Sequence, residues 1–193
     1  MKKYLKTYKQ LFKKTQSDYE YVLDLFANDD VKNLKKYINN GGQLEFEDKK
    51  PLLFMLAFNY THNFKVAQIA QILIDAGIDV NAATILNTTP LSWAIIEDEY
   101  DLFKVILNSK DVDVNKYNKR RQTPLYKTAS LNNGSYKYIC DLTDAGADWF
   151  IKDFRGHYFL DILANDVKIK LKERYPEKYN RYLSLKKAND FNL

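Results

Sequence analysis

The chain reads DVNAATILNTTPLSWAI over residues 79–95 and DVNKYNKRRQTPLYKTA over residues 113–129. In each stretch the triplet Asp-Val-Asn stands ten residues before Thr-Pro-Leu, and the second stretch begins 34 residues after the first. Two copies of one pattern at a fixed spacing in the thirties are typical of stacked helical repeats, in which each unit packs on its neighbours. The pattern therefore predicts an all-α array.

Weaker copies of the same pattern extend the array on both sides. Pro51-Leu52 begins a second repeat, because proline is tolerated at the first helical position, where its missing N–H has no partner to lose. Residues 158–160 read YFL where Thr-Pro-Leu would begin a fifth repeat. We expect the inner helix of that repeat to continue through Ile162, Leu163 and Ala164. A capping-box pattern at residues 17–20 and a glycine pair at residues 41–42 bound a degenerate first repeat.

These motifs resemble the ankyrin repeat, whose pattern runs from Thr-Pro-Leu-His through two helices to a Gly-Ala-Asp-Val-Asn turn. The resemblance is strongest over residues 76–157 and weaker at both ends. It implies an all-α, ankyrin-repeat solenoid of about five helix-turn-helix repeats with N- and C-terminal helical caps. The expected units of this single domain (1–193) are a basic N-terminal cap helix (1–17), a degenerate first repeat (18–49), repeats two to four (50–83, 84–117 and 118–152), a degenerate fifth repeat (153–175) and a C-terminal cap (176–193).

Positive charge is concentrated at the two ends of the chain. The net charge of +5 divides into +6 over residues 1–17, −5 over residues 18–165 and +4 over residues 166–193. Nucleic-acid binding usually needs a continuous basic face, which an acidic body with two basic ends does not offer. The basic ends are explained by terminal helices with solvated outer faces, including an amphipathic helix over residues 3–14. The alternative is that these ends bind nucleic acid or an anionic membrane.

The sequence predicts a cytoplasmic protein. There is no run of eighteen apolar residues and no apolar segment followed by a small-residue cleavage site. The single cysteine, Cys140, cannot form an internal disulfide, which fits a reducing compartment. Export by a route that reads no cleavable signal remains an open alternative.

We expect no enzymatic activity, cofactor or metal. His62 and His157 lie 95 positions apart in different repeats, and no metalloprotease, phosphate-loop or nucleophile-elbow motif is present. The carboxylates at residues 97–101 cluster at the inter-helix turn of the third repeat, where helix N-termini attract acids for electrostatic reasons. Cys140 is expected to be a buried, unreactive thiol.

The resemblance implies where a partner protein would bind. In ankyrin repeats, contacts come from the finger-like turns before Thr-Pro-Leu and from the exposed end of the inner helix. On this chain those positions are Ile85, Leu86, Thr88, Ile96 and Glu97 in the third repeat, Lys119, Arg120, Gln122, Ser130 and Leu131 in the fourth, and Phe154, Arg155 and His157 in the fifth.

Exposed apolar residues that lie close together mark interaction sites, so Ile85, Leu86 and Ile96 are the first candidates. With Lys119 and Arg120 beside them, they would form an apolar centre with a charged rim. The alternative is that Ile85 and Leu86 fold back onto the neighbouring finger. Arg121 stands where the family usually has glycine, which puts the geometry of that turn in question.

The predicted function is therefore non-catalytic binding of another protein. Small stand-alone ankyrin proteins include immunity proteins that neutralise toxins and effectors that engage host proteins, and the resemblance extends both roles to this chain as hypotheses.

Overall fold

The computed structural model describes residues 17–47, 49–60, 65–131 and 135–190, and over these residues the chain forms α-helices and one 3₁₀ turn, with no strand. The predicted helix over residues 3–14 lies outside the described residues. The helices are α1 (Asp18–Ala27), α2 (Val31–Asn39), α3 (Leu52–Asn59), α4 (Val66–Asp75), α5 (Pro90–Ile96), α6 (Tyr100–Leu107), α7 (Pro124–Ser130), α8 (Tyr136–Asp144), α9 (Asn165–Arg174) and α10 (Pro176–Asp190), and the 3₁₀ turn is Phe159–Asp161.

Side-chain caps begin α1, α5 and α7. Ser17 Oγ accepts the backbone N–H of Glu20 at 3.3 Å, which confirms the capping box at the start of α1. Thr89 Oγ1 and Thr123 Oγ1 accept backbone N–H groups three residues later, at 3.2 and 3.1 Å, at the starts of α5 and α7. These caps satisfy N–H groups that have no partner within the helix, so the repeated threonine sets where each inner helix begins.

The helices pack as consecutive antiparallel pairs, and each pair packs on the next. Within pairs, α1 contacts α2, α3 contacts α4, α5 contacts α6 and α7 contacts α8. Between pairs, α3, α5, α7 and the 3₁₀ turn contact one another in that order and form an inner row, while α2, α4 and α6 form an outer row. Contacts of this kind between neighbours account for most of the tertiary structure.

One continuous hydrophobic core lies between the inner and outer rows. Leu53, Leu91 and Phe103 are fully buried in it, and Ala94 is fully buried where α5 lies between α3 and α7. Burial of each large apolar side chain contributes roughly 1.5–3 kcal/mol to the free energy of folding. The core extends from Tyr19 to Tyr182, so the end units are joined to the middle of the array by the same kind of packing.

The prediction of an inner helix in the fifth repeat is wrong. Only the 3₁₀ turn Phe159–Asp161 forms there, Ile162 is 39% exposed, and Ala164 already precedes α9. The reason is chain length. The outer helix begins at Asn165, seven residues after Tyr158, whereas Tyr100 begins α6 eleven residues after Thr89. Four fewer residues leave room for one turn and no more.

An aromatic cluster and two polar contacts join the C-terminal helices to the array. Trp149 is 1% exposed, and its ring packs edge-on against Phe159 and Tyr175, with centroids 5.1 and 5.7 Å apart. Arg174 Nη2 donates to Asp144 Oδ2 at 2.9 Å, and the Tyr175 hydroxyl donates to the other oxygen of that carboxylate at 2.7 Å. These contacts hold the junction between α9 and α10 against the end of α8.

Asparagine side chains link the loops that follow the outer helices. Asn81 Oδ1 accepts the backbone N–H of Asp113 at 2.8 Å, and Asn81 Nδ2 donates to the Asp111 carbonyl at 2.7 Å. Asn115 Oδ1 accepts the backbone N–H of Asp148 at 2.8 Å. The next equivalent residue is Phe150, whose ring lies 4.3 Å from the guanidinium carbon of Arg181 on α10. The series of amide links therefore ends where α10 begins to cover the array.

None of the helices in the described parts of the chain is both long and apolar enough to cross a lipid bilayer.

Candidate functional site

The predicted contact residues centre on three loops of the same construction, which we call the third (84–88), fourth (118–122) and fifth (153–157) finger loops. In each loop the backbone N–H of the first residue donates to the carbonyl of the last, at 3.2, 3.1 and 2.9 Å respectively. The side-chain oxygen of that first residue accepts the N–H groups of the third and fifth residues. The first residues are Thr84, Asn118 and Asp153.

The fourth residue of each finger loop has a left-handed backbone. The φ angles are +59° at Asn87, +56° at Arg121 and +83° at Gly156. Glycine adopts this region without steric cost and asparagine tolerates it, whereas arginine is strained there. The turn of the fourth loop is nevertheless the same as in its neighbours, so Arg121 leaves the loop geometry intact.

Backbone and side-chain hydrogen bonds join each finger loop to the next. The N–H of Lys119 donates to the Leu86 carbonyl at 3.0 Å, and the N–H of Phe154 donates to the Arg120 carbonyl at 3.0 Å. The left-handed residues reach forward as well, because Asn87 Nδ2 donates to the Tyr117 carbonyl and Arg121 Nε to the Lys152 carbonyl, at 2.6 and 3.4 Å. The three loops thus form one connected row.

The structure brings most of the predicted finger residues to the surface of this row. Ile85 is 88% exposed and Leu86 is 60% exposed, so neither folds back onto the neighbouring loop. Phe154 is 56% exposed. Lys119, Arg120, Arg155 and His157 are also exposed, and Gln122 is half-buried. Thr88 is 8% exposed and offers a partner little surface.

The predicted residues at the inner-helix ends lie around a different cleft. Ile96 and Leu131 are half-buried and line a cavity of about 330 Å³ together with Asp98, Lys137 and Tyr138. Glu97 and Ser130 are exposed beside it, and the Ser130 hydroxyl donates to the Lys127 carbonyl at 2.9 Å. The thirteen predicted residues therefore form two groups, one on the finger loops and one at the helix ends.

A cleft of about 490 Å³ lies between the fourth and fifth finger loops, and we call it the basic cleft. Its lining comprises Lys119, Arg120, Gln122, Tyr126, Asp153, Phe154 and Arg155. The formal charge of the lining is +2, from three cations and one carboxylate. None of the three cations forms an ion pair with a carboxylate of the described residues. The Arg155 guanidinium carbon lies 5.1 Å from the centroid of the Phe154 ring.

Asp153 and Tyr126 form the polar floor of the basic cleft, and sequence reasoning missed both. Asp153 is 5% exposed and accepts the Tyr126 hydroxyl at 2.9 Å in addition to its two backbone donors. Burial alone would raise the pKa of Asp153, but the N–H of His157, the Tyr126 hydroxyl and the N–H of Arg155 together hold it below its usual value. Burial, followed by the bond to Asp153, raises the pKa of Tyr126 to about 12. The sequence feature that could have identified Asp153 is its position, which is equivalent to that of Asn118 in the fourth finger loop.

Sequence reasoning also missed an aromatic patch on the inner row. Phe58 is 40% exposed, and its ring centroid lies 5.1 Å from that of Trp93 and 5.7 Å from that of Phe54. Lys50 Nζ lies 5.0 Å from the Phe58 centroid. The apolar run of α3 gave no sign that one of its residues faces solvent.

The structure offers little that resembles a reactive centre in the part of the chain it describes. No three His, Cys, Asp or Glu side chains come together there in a way that could hold a metal ion. Cys140 is buried on α8. His157 Nδ1 lies 3.9 Å from Asp153 Oδ1, too far for a hydrogen bond. His62 lies outside the described residues.

No model of a known protein family matches this chain, and no curated protein matches it.

Proposed function

We propose that this chain is an ankyrin-repeat solenoid that binds another protein through its finger loops and the adjoining ends of its inner helices. The 34-residue period of the sequence, the stacking of helix pairs in chain order and the repeated loop construction all support this assignment. The immunity and effector roles that the resemblance brings with it are two forms of the same activity.

The observation that carries the proposal is the contrast between the backbone and the tips of the finger row. The backbone groups of the loops are used in hydrogen bonds within and between the loops, which makes the row rigid. The tips, by contrast, expose Ile85, Leu86 and Phe154 beside cations that form no ion pair with any described carboxylate. Ordering such side chains costs less in a preorganised surface, and apolar groups ringed by charges are typical of a protein interface.

Affinity capture from the native cell, with the full chain as bait, tests this proposal. We expect a specific partner to be retained by the wild-type chain and lost by a variant with Ile85→Asp and Lys119→Glu. The matched control is Ile169→Asp with Lys172→Glu on α9, because Ile169 is 60% exposed and Lys172 is exposed, but neither belongs to the finger row. A weakening of about tenfold or more corresponds to a loss of about 1.4 kcal/mol or more in binding free energy.

Two results would contradict the proposal. One is equal loss of the partner in the control variant. The other is binding to single-stranded DNA or acidic vesicles that falls steeply with salt and disappears when residues 1–17 are deleted, which would favour the basic ends as the binding element.

A further inference from the structure

The side chains at the tips of the finger row change in character along the array. The second residue of each finger loop is Ile85, Lys119 and Phe154 in turn. The third residue is Leu86, then Arg120, then Arg155. Because the three loops share one hydrogen-bonded construction, these residues occupy equivalent places. The row therefore passes from an aliphatic end at the third finger loop to a cationic and aromatic end at the fifth.

In the described parts of the chain, Lys119, Arg120 and Arg155 form no ion pair with a carboxylate. Of the described residues that line the basic cleft, Asp153 alone carries a carboxylate, and its oxygens already accept hydrogen bonds from Tyr126 and two backbone N–H groups. Burial, followed by the nearby positive charge of Arg120, lowers the pKa of Lys127 on α7. An external carboxylate would relieve this repulsion and could accept paired hydrogen bonds from either guanidinium.

The surroundings of the basic cleft favour an acidic protein segment over a polynucleotide. Residues 18–165 carry a net charge of −5, and Glu45 and Glu47 are exposed in the loop that precedes Pro51 at the other end of the inner row. A phosphate backbone needs a long basic track, which this body does not provide. The exposed aliphatic tips Ile85 and Leu86 lie directly beside the cations and suit apolar side chains.

We propose that the basic cleft binds the carboxylates of an acidic segment of the partner protein, while an apolar residue of the same segment packs on Ile85 and Leu86. This inference rests on the proposed function and adds to it the chemistry and the direction of the bound segment. Its acidic residues lie over the fourth and fifth finger loops, and its apolar residue lies over the third.

Selection from a library of random displayed peptides tests the inference. The full chain is the target, and a variant with Arg120→Glu and Arg155→Glu serves for counter-selection. We expect enriched peptides to carry aspartate or glutamate a few residues from an aliphatic or aromatic side chain. In fluorescence titrations, charge reversal should weaken a selected peptide by about tenfold or more, and Arg120→Gln with Arg155→Gln should weaken it by less. Circular dichroism confirms that each variant is folded.

Two further measurements make the result decisive. The reversed variant should prefer the same peptide with its acidic residues changed to lysine, because the charges are then complementary again. Reversal of Lys172 and Lys187, which are exposed on α9 and α10, changes the net charge by the same amount and should leave peptide binding within about twofold.

The inference fails if the selected peptides are not acidic, or if charge reversal has no effect on them. If Ile85→Asp with Lys119→Glu still removes the captured partner, the proposed function stands without the inference. If a 20-nucleotide single-stranded DNA or phosphatidylserine vesicles occupy the basic cleft more tightly than any acidic peptide, the polyanion is the ligand and the inference is overturned.

Discussion

At the scale of single residues, the finger loops depend on one left-handed position in each turn. Asn87 and Gly156 are residue types that tolerate a positive φ, whereas Arg121 adopts +56° at a cost of roughly 1–2 kcal/mol. Its side chain offsets part of that cost, because Arg121 Nε donates to the Lys152 carbonyl and the guanidinium lies over the Tyr117 ring, with its central carbon 5.2 Å from the centroid. The side-chain contacts of Arg121 thus help to stabilise a turn whose positive φ is unfavourable for arginine.

Substitution of Arg121 should separate backbone strain from side-chain contacts. Arg121→Val should lower the free energy of unfolding by about 1–2 kcal/mol, because a β-branched residue is strongly disfavoured at positive φ and makes neither contact. Arg121→Asn should stay within about 0.5 kcal/mol of wild type, since Asn87 already fills the equivalent place in the third loop. Urea denaturation measures both. Lys119→Val in the same loop is the control, and an equal loss there would refute the backbone explanation.

Asp153 stabilises the fifth finger loop as an acceptor of three hydrogen bonds. Asp153→Ala leaves two backbone N–H groups and the Tyr126 hydroxyl without an acceptor, so we expect a loss of about 2–3 kcal/mol. Asp153→Asn should cost about 1 kcal/mol or less, because Asn118 makes the same two backbone contacts in the fourth loop. Equal losses in the two variants would show that the acceptor oxygen is not what stabilises the loop.

The lowered pKa of Asp153 also predicts a pH dependence. A carboxyl whose pKa is lower in the folded than in the unfolded state stabilises the fold above the unfolded value, about 3.9, and loses this contribution as the pH falls through the folded value. The stability advantage of wild type over Asp153→Asn should therefore be constant from pH 7 to 5 and shrink below about pH 4. Urea denaturation at a series of pH values checks this. A stability advantage that grows as the pH falls would contradict the predicted direction.

At the scale of elements, α10 is held to the array by a polar clamp on Asp161. The Tyr182 hydroxyl donates to Asp161 Oδ1 at 2.8 Å, and Lys186 Nζ lies 2.8 Å from the same oxygen. The Tyr182 ring is 7% exposed and packs edge-on against Tyr158. The clamp joins α10 to the 3₁₀ turn, so the shortened fifth repeat is stabilised by the helix that follows it.

Removal of the Tyr182 hydroxyl should loosen α10 while its packing remains. We expect Tyr182→Phe to cost about 1.5–2 kcal/mol, because the lost bond is to a charged acceptor, and to speed amide hydrogen exchange in α10 more than elsewhere. Tyr179→Phe is the matched control, since the Tyr179 ring contacts Tyr182 but its hydroxyl makes no hydrogen bond within the described residues. Uniform acceleration of exchange in all helices would indicate global destabilisation instead.

The element scale also shows how far the sequence could predict the structure. The start of α1 follows from a local capping box and is confirmed, and α5 and α7 begin at the prolines of the two Thr-Pro-Leu motifs that were predicted to begin repeats. The absence of an inner helix in the fifth repeat could not be predicted from composition, because the run from Phe159 to Ala164 is as apolar as an inner helix. The segment is, however, four residues shorter than the equivalent segment of the third repeat.

The candidate site divides in the same way. The exposure of the finger tips could be predicted from the spacing of the repeated motifs, because each tip lies only a few residues before Thr-Pro-Leu or its substitute. The floor of the basic cleft did not, because the bond from Tyr126 to Asp153 joins residues 27 positions apart in different repeats. The exposure of Phe58 depends on the neighbouring repeat and could not be predicted either.

At the scale of the whole molecule, the asparagine links couple neighbouring repeats. In a stacked array, stability is approximately the sum of unit terms and interface terms, so interface bonds determine whether the units unfold together. Asn115 lies at one such interface, between the third and fourth repeats. The two tryptophans report on its two sides, because Trp93 belongs to α5 and Trp149 follows α8.

Asn115→Ala should therefore reduce cooperativity as well as stability. Urea unfolding is followed by fluorescence in two single-tryptophan chains, one with Trp93→Phe and one with Trp149→Phe, each with and without Asn115→Ala. We expect a loss of about 1 kcal/mol, and midpoints that move apart when the asparagine is removed. Asn180→Ala on α10 is the control. Midpoints that keep their original separation in Asn115→Ala would show that this bond does not couple the repeats.

The break in the series of amide links at Phe150 limits how such a chain can grow by gene duplication. A tandem copy of residues 84–117 would supply an Asn115 for each new Asp113, so that segment can be inserted without leaving a loop unlinked. A tandem copy of residues 118–152 would instead place Phe150 where an amide is needed, with no Arg181 to cover its ring. We therefore expect a duplication in the middle of the chain to cost less stability than one at the C-terminal end of the array.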